Sequence, residues 1–187
     1  MQRRTPTRNS SQRSYEEPII WDHDKEKFQD GSIMCIKLKD FMTFEKITIL
    51  PSSGLNLIIG PNGSGKSTIV CAIGLGLASS PSILARTTKI SGFIRHGCKE
   101  ATIKIFLKAP TPFWIYRRIK DDNQSQWKMK NENDARWTNV GVQEVMKRVA
   151  NLHIQLDNLC MFLPQERVKE FSTLKPPQLL TATEQAI

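Results

Sequence analysis

The chain contains Gly60-Pro61-Asn62-Gly63-Ser64-Gly65-Lys66-Ser67. These residues have the G-x-x-x-x-G-K-[ST] spacing of a phosphate-binding loop, which makes them the strongest indication of the fold. Its glycines let the backbone turn so that several N–H groups point inward at an anion. The ammonium group of Lys66 is then placed to bridge β- and γ-phosphates, and the Ser67 hydroxyl is a ligand for Mg²⁺. We therefore predict that these eight residues bind ATP with magnesium, and that Thr68 supports the α-phosphate.

The residues on either side of the loop predict a strand before it and a helix after it. Leu55 to Ile59 is a short apolar run, which is typical of a buried strand. Ser67 to Leu77 reads as a helix, in which Gly74 and Gly76 weaken the helix but allow close packing on a sheet. This strand–loop–helix order is the context that the loop requires, so it predicts an α/β fold of the P-loop NTPase class.

A second carboxylate for magnesium is harder to find in the sequence. Most P-loop hydrolases hold one at the end of an apolar strand. The nearest candidate, Asp157, follows Leu152 to Leu156, where polar and apolar residues alternate. We expect Asp157 to be a surface or turn residue, and the chain alone to hydrolyse ATP weakly or not at all.

Elsewhere the apolar spacing predicts further strands and short helices. The strands are expected at 33–38, 41–50, 101–107, 113–119 and near 127–129, and the helices at 142–152, 168–171 and 179–187.

The first thirty residues differ in composition from the rest of the chain. Residues 1–14 contain four arginines and no acid, which indicates a disordered basic arm over residues 1–30. The arm has three open interpretations, namely a DNA contact, a nuclear address and a solvated tail. Residues 31–187 are expected to form one domain.

Charge and cysteine content restrict the partners and the compartment. The formal net charge of +9 favours an anionic partner, of which nucleic acid is the obvious class. Candidate contacts are Arg95, Lys99, Lys104, Lys108, Arg117, Arg118 and Lys120, while the nearby Trp114, Tyr116 and Trp127 are expected to pack in the core. The four cysteines form no C-x-x-C pair, which indicates free thiols in a reducing compartment. No apolar run reaches eighteen residues, so no membrane span is predicted.

The loop and the Leu57-Ile58-Ile59 that precedes it resemble the ATP-binding heads of the structural-maintenance-of-chromosomes (SMC) family, which belong with the ABC-type ATPases. Phe162-Leu163-Pro164-Gln165-Glu166-Arg167-Val168 is similar to the glutamine loop of that family. The resemblance implies that Gln165 contacts magnesium and water, and is therefore a catalytic and metal-binding residue beside Lys66 and Ser67. Arg86 falls at the arginine-loop position, which faces nucleotide or DNA, although Ala85 stands where the family pattern has glycine.

Three further stretches agree with one member of the family, namely 93–98, 171–172 and 179–184. The resemblance covers 31–187 and implies the N-terminal lobe of an ABC-type head with an antiparallel β subdomain, incomplete on its own. It places the signature motif and the second magnesium carboxylate in a distant C-terminal half, beyond a coiled-coil arm that begins where this sequence ends.

The resemblance also implies partners and a location. The implied partners are DNA, the C-terminal half of the same head, a second SMC subunit and non-SMC regulatory subunits, with no membrane. The implied location is the nucleus, on chromosomes.

Two other functions stay open from the sequence. A self-contained P-loop kinase or nucleotide-transferase would need a complete catalytic set within the chain, which the missing carboxylate strand disfavours. A non-catalytic module that binds DNA or a regulatory subunit would need only the basic surface.

Overall fold

The computed structural model describes residues 25–84 and 89–186, and its centre is one six-stranded antiparallel sheet. The strand order is β2-β1-β3-β4-β5-β6. The strands are β1 (Ile33–Phe41), β2 (Phe44–Ile49), β3 (Glu100–Leu107), β4 (Phe113–Lys120), β5 (Ser125–Asn131) and β6 (Thr138–Val140). The helices are α1 (Lys66–Gly76), α2 (Val142–Ala150), α3 (Val168–Ser172) and α4 (Pro176–Gln185), with 3-10 turns at Lys25–Lys27, Pro81–Leu84, Ile90–Phe93 and Gln165–Arg167.

The inner face of the sheet forms the main core. Successive side chains of a strand point to opposite faces, so apolar residues at every second position collect on one side. β4 follows this rule along its whole length, with buried and half-buried residues in strict alternation. The buried positions that share this face belong to the same core cluster as residues of α1, and they are Ile36, Leu38, Ile103, Ile105, Ile115, Ile119, Trp127 and Met129.

Helix α1 fits against the sheet because two glycines leave room for it. A Cβ atom on Gly76 would lie 2.5 Å from Cδ1 of Ile105 and 2.8 Å from Cγ2 of Ile103. A Cβ on Gly74 would approach Leu84 and Phe162 at 3.3 and 3.2 Å. The close packing predicted for these glycines is confirmed, on the sheet at Gly76 and on the flanking segments at Gly74.

Arg117 joins the sheet to the end of α1. It is only 7% exposed, and its Nη1 donates to the backbone oxygen of Leu75 at 2.7 Å. Its guanidinium lies 4.4 Å from the ring centroid of Trp127 and also donates to Oγ of Ser125. Burial lowers the pKa of Arg117 to about 10, so it stays charged at neutral pH. The expectation that Arg117 contacts DNA was wrong, because it points into the core, toward the negative end of a helix.

The predicted buried strand at 55–59 is not a strand. The segment is irregular, and Leu55, Leu57 and Ile59 are 96%, 78% and 82% exposed. A strand needs a neighbour to pair its backbone N–H and C=O groups. Within 25–84 and 89–186 the six strands pair with each other, and this segment joins none of them. The run is apolar, as the sequence shows, but its side chains are exposed in the described structure instead of buried as predicted.

The other sequence expectations agree closely with the observed elements. The strands at 33–38, 101–107 and 113–119 and the helix at 142–152 are confirmed to within two or three residues at each end. Trp127 is buried as predicted, whereas Trp114 and Tyr116 are only half-buried on the opposite face. The three-residue strand β6 was missed, because its short, mostly polar sequence carries no apolar period.

Of the arm predicted over residues 1–30, residues 1–24 lie outside the described residues, and packing begins by Phe28. Phe28 is buried with Met34, Cys35 and Phe106 in a second, smaller cluster. Burial raises the pKa of the Cys35 thiol to about 11. All four cysteines are free, as the sequence indicated. No helix in the described part of the chain has the length and apolar character needed to cross a membrane.

Replacing Gly76 with alanine tests the fit of α1 on the sheet. Alanine favours a helix by up to about 1 kcal/mol over glycine, but overpacking a core costs about 1–3 kcal/mol. We expect Gly76→Ala to lower the free energy of unfolding by about 1–2 kcal/mol, measured by urea denaturation. Gly54→Ala is the matched control, because a Cβ there meets nothing within 4 Å. Equal stability of the two variants would contradict the close packing.

Candidate nucleotide-binding site

The phosphate loop runs directly into the N-terminus of α1. Gly63 and Gly65 have φ angles of 81° and 94°, in the left-handed region that favours glycine. Gly65 is also the residue that caps α1. Residues 61–64 are exposed at this helix end, where backbone N–H groups lack intrahelical partners and attract anions.

Lys66 folds back into the loop that precedes it. Its ammonium donates to the backbone oxygens of Gly60 and Pro61, at 2.7 Å in each case. Neutral carbonyls hold the positive charge at the concave side of the loop. A phosphate oxygen would make a stronger, charge-assisted hydrogen bond to the same group.

The tip of the β1–β2 hairpin packs against the loop. A Cβ on Gly65 would lie 2.6 Å from Cζ of Phe44 and 3.0 Å from Oγ1 of Thr43. The Thr43 hydroxyl is 3.4 Å from the hydroxyl of Thr68, the buried third residue of α1. The hairpin therefore contacts both the loop, at Gly65, and the first turn of the helix, at Thr68.

No pattern in the sequence predicts this contribution of Thr43 and Phe44. The chain reverses at residues 42–43, where Met42 has a positive φ angle although it is not glycine, and Asp40 has another such angle near the end of β1. Such angles are uncommon outside glycine and cannot be read from these residue types.

Gln165 lies next to the start of α1, although 98 positions separate it from Ser67. The Ser67 hydroxyl and Oε1 of Gln165 are 3.5 Å apart, a long contact that Ser67 donates. The segment is anchored by Phe162, which packs against Gly74 in the middle of α1. The structure thus brings together the two predicted metal-binding residues.

A salt bridge holds the turn that carries Gln165. Arg167 donates to both carboxylate oxygens of Glu170, at 2.8 and 2.6 Å. These hydrogen bonds lower the pKa of Glu170 and raise that of Arg167. The pair spans the junction of the 3-10 turn and α3, just after Gln165.

The ligand types at this point suit magnesium, because a hydroxyl and an amide oxygen are hard oxygen donors. Magnesium normally takes its remaining positions from water and substrate phosphates. Within 25–84 and 89–186, no three His, Cys, Asp or Glu side chains cluster as a metal site. Asp157 is exposed at a bend, which confirms the prediction that it is a surface residue.

Arg86 lies outside the described residues, so its predicted place at the nucleotide stays a prediction.

Two alanine substitutions separate backbone strain from lack of space in the loop. Gly63→Ala meets nothing within 4 Å and adds only the left-handed strain, about 1–2 kcal/mol. Gly65→Ala adds overlap with Phe44, so we expect it to lower stability by about 2–4 kcal/mol in thermal or urea unfolding. If Gly63→Ala were the more damaging change, the packing of the hairpin on the loop would be wrong.

Comparison with known proteins agrees with this fold. The family model described as AAA domain matches residues 35–187. Structural maintenance of chromosomes protein 5 of Arabidopsis thaliana is 38% identical over 180 residues, which is 95% of this chain and 16% of the relative. The protein of the same name from Schizosaccharomyces pombe is 42% identical over 159 residues, or 84% of this chain and 14% of the relative.

A solved structure gives the same result for the fold. It is described as "Structural biochemistry of ATP-driven dimerization and DNA stimulated activation of SMC ATPases". Its TM-score is 0.67 at 22% identity, and the match covers 83% of this chain and 99% of the other.

Because the AAA-domain model covers most of the chain, the chain belongs to that family, and its fold is that of a P-loop NTPase. More narrowly, most of the chain is similar to proteins named structural maintenance of chromosomes protein 5, and it shares its fold with the solved SMC ATPase structure. The resemblance read from the two loops is thereby confirmed. The chain spans about one sixth or less of the length of these relatives.

Proposed function

We propose that this chain is the ATP-binding N-terminal half of an SMC head, in which ATP binding and hydrolysis drive head engagement and DNA binding or movement. The observation that carries the proposal is the approach of Gln165 to Ser67, beside the loop that holds Lys66. A phosphate loop alone is shared by many nucleotide-binding proteins. A glutamine from a distant segment at its magnesium residue is the additional feature expected of an ABC-type head.

Each residue of the site has a defined part in this proposal. The backbone of residues 60–65 and the N-terminus of α1 bind the β-phosphate. Lys66 exchanges its two carbonyl partners for phosphate oxygens, and Thr68 supports the α-phosphate. Ser67 and Gln165 would hold Mg²⁺, which supplies positive charge at the phosphates when bound. Gln165 is also placed to orient a water molecule, and Arg86 is proposed to face the nucleotide or DNA.

Loss of the Lys66 ammonium should weaken ATP binding strongly. A hydrogen bond to a charged group is worth about 1.5–3 kcal/mol, so we expect Lys66→Ala to raise the Kd for ATP about 10- to 150-fold. The measurement is equilibrium dialysis with labelled ATP, with and without Mg²⁺. Lys147→Ala, an exposed lysine on α2, is the matched control. Gln165→Ala should weaken binding only when Mg²⁺ is present. Unchanged binding in Lys66→Ala would refute the assigned site.

An apolar groove supports the proposal that a second half completes the head. The groove has a volume of about 650 Å³ and runs beside the exposed segment 55–58. Its wall is formed by Ile33, Ile36, Ile49, Ile69 and Ile73, which belong to β1, β2 and α1. An unpaired apolar segment beside an apolar groove is a place where added strands pair with backbone and cover side chains at once. We propose the C-terminal half of the same head as the occupant.

Polar substitution of this segment should prevent the two halves from joining. We expect Leu57→Ser with Ile59→Ser to abolish co-purification with a C-terminal head segment of structural maintenance of chromosomes protein 5. The reason is the loss of apolar area, which is worth about 25 cal/mol per Å² buried. Met146→Ser, which changes an exposed residue on α2, should have no effect. Retention of the partner by the double variant would place the docking surface elsewhere.

The remaining partners and the location follow from the family. We propose a second SMC subunit as the partner head, with structural maintenance of chromosomes protein 6 as the candidate, together with non-SMC regulatory subunits. The SMC ATPases of the matching structure are described as dimerising in an ATP-driven manner and as activated by DNA. The net positive charge of the chain supports DNA as a partner. A role in DNA repair or recombination and a nuclear, chromosomal location belong to this proposal.

A further inference from the structure

The sheet has an outer face, turned away from α1, that is basic along most of its width. We define it by the outward positions of the strands, whose cations are Lys37, Lys39, Lys46, Lys104, Arg118, Lys120, Lys128 and Lys130. Glu100 is the one acid among the outward positions of the described strands, and it forms a salt bridge with Arg118. Alternation explains this face, because the inward positions of the same strands are mostly apolar, with Arg117 as a buried exception. The charge is therefore concentrated on one flat surface.

Aromatic rings lie in the middle of this charge. Tyr116 on β4 and Trp137, just before β6, are half-buried, with ring centroids 5.5 Å apart. The Lys104 ammonium is 5.8 Å from the Tyr116 centroid and 5.4 Å from that of Trp137. Lys128 is 5.8 Å from Tyr116, and Lys130 is 5.3 Å from Trp137. Each ring therefore lies close to two ammonium groups, and these groups would attract a phosphate.

The register places these groups in one line across the sheet. Lys37 is opposite Lys104, which is opposite Tyr116, which is opposite Lys128. Four neighbouring strands at a spacing of about 4.8 Å make this row about 14 Å long. The row crosses the strands, so a linear polyanion laid along it meets two cations, an aromatic ring and a third cation in turn.

One end of the outer face is already covered. Trp114 stacks on Phe106 at 4.8 Å, and these rings pack with Phe28 from the segment before β1. The aromatics at that end therefore belong to a core cluster. Tyr116 and Trp137 lie outside that cluster, so they form the accessible part of the surface.

We propose that this outer face binds single-stranded DNA, with phosphates on the lysines and unpaired bases stacked on Tyr116 and Trp137. The inference rests on the proposed DNA-binding function and specifies its surface and the form of the ligand. Lysines alone would not favour a single strand, because duplex DNA presents the denser phosphate charge. Half-buried rings on a basic sheet face add affinity only for bases that are free to stack on them.

The test compares two oligonucleotides on one protein. A labelled 20-nucleotide single strand and the duplex of the same sequence are titrated by fluorescence anisotropy, at several salt concentrations and without nucleotide. The protein is the full 187-residue chain. We expect the single strand to bind at least 10-fold more tightly than the duplex.

Removal of the rings distinguishes stacking from charge. Stacking is worth about 1–3 kcal/mol per base, so Tyr116→Ser with Trp137→Ser should weaken single-strand binding about 10-fold or more. Tyr116→Phe with Trp137→Phe keeps a stacking ring at both sites and should stay within about threefold of the original affinity. Circular dichroism and thermal unfolding show whether the serine variant retains the sheet.

Removal of the lysines tests the electrostatic part. Lys37→Gln with Lys104→Gln and Lys128→Gln should reduce the slope of log K against log salt by about 2, at about 0.7 per phosphate contact on a single strand. Lys147→Gln, on α2, should leave that slope unchanged. Intrinsic fluorescence of Trp137 should be quenched by the single strand, and Trp137→Phe should remove that part of the signal.

Two results would overturn the proposal. One is equal affinity for duplex and single strand with no effect of the serine variant in a folded protein. The other is loss of binding in Lys147→Gln but not in the triple lysine variant. ATP binding is measured on the same protein to distinguish failure of this proposal from failure of the proposed function. If the outer face does not bind DNA, Lys66-dependent ATP binding should still be observed. Single-strand binding without ATP uptake would instead refute the nucleotide site.

Discussion

The packing of α1 on the inner face of the sheet determines where the phosphate loop lies. Gly76 lets the end of the helix touch Ile103 and Ile105, because no Cβ stands between them. Arg117 then binds the backbone oxygen of Leu75 from the sheet side. A helix fixed at its C-terminus by packing and by a buried cation has a fixed N-terminus as well, and the N-terminus is where the phosphate loop begins. The geometry of the site is thus set about three helical turns away from it.

The site itself is an assembly of three segments around the first turn of that helix. The loop provides N–H groups and the Lys66 ammonium, the β1–β2 hairpin restricts the space beside Gly65, and the segment after Phe162 delivers Gln165. Each segment is held by contacts other than those to a ligand. Ligand binding to such a site loses little conformational entropy, because the donors are already in position before the ligand binds.

The sheet gives the molecule two surfaces of different chemical character. Its inner positions are apolar and build the core that supports the nucleotide site. Its outer positions are basic and partly aromatic, and they face away from that site. Side-chain alternation along the strands separates the two sets of residues without any additional element. The exposed segment 55–59 is a third surface, with apolar side chains that water contacts and that the described strands do not pair.

The sequence by itself determined the phosphate loop, the helix after it and most strands, because glycine spacing and apolar periodicity are local properties. It also identified Gln165 as a partner of the loop, through a second stretch with its own resemblance. Tertiary structure alone decided that Arg117 points inward, that Thr43 and Phe44 press on Gly65, and that the run at 55–59 stays uncovered. The reason is physical: the direction of an arginine depends on strand register, a hairpin contact depends on positive φ angles at ordinary residues, and an apolar run becomes a strand only where a neighbour offers its backbone.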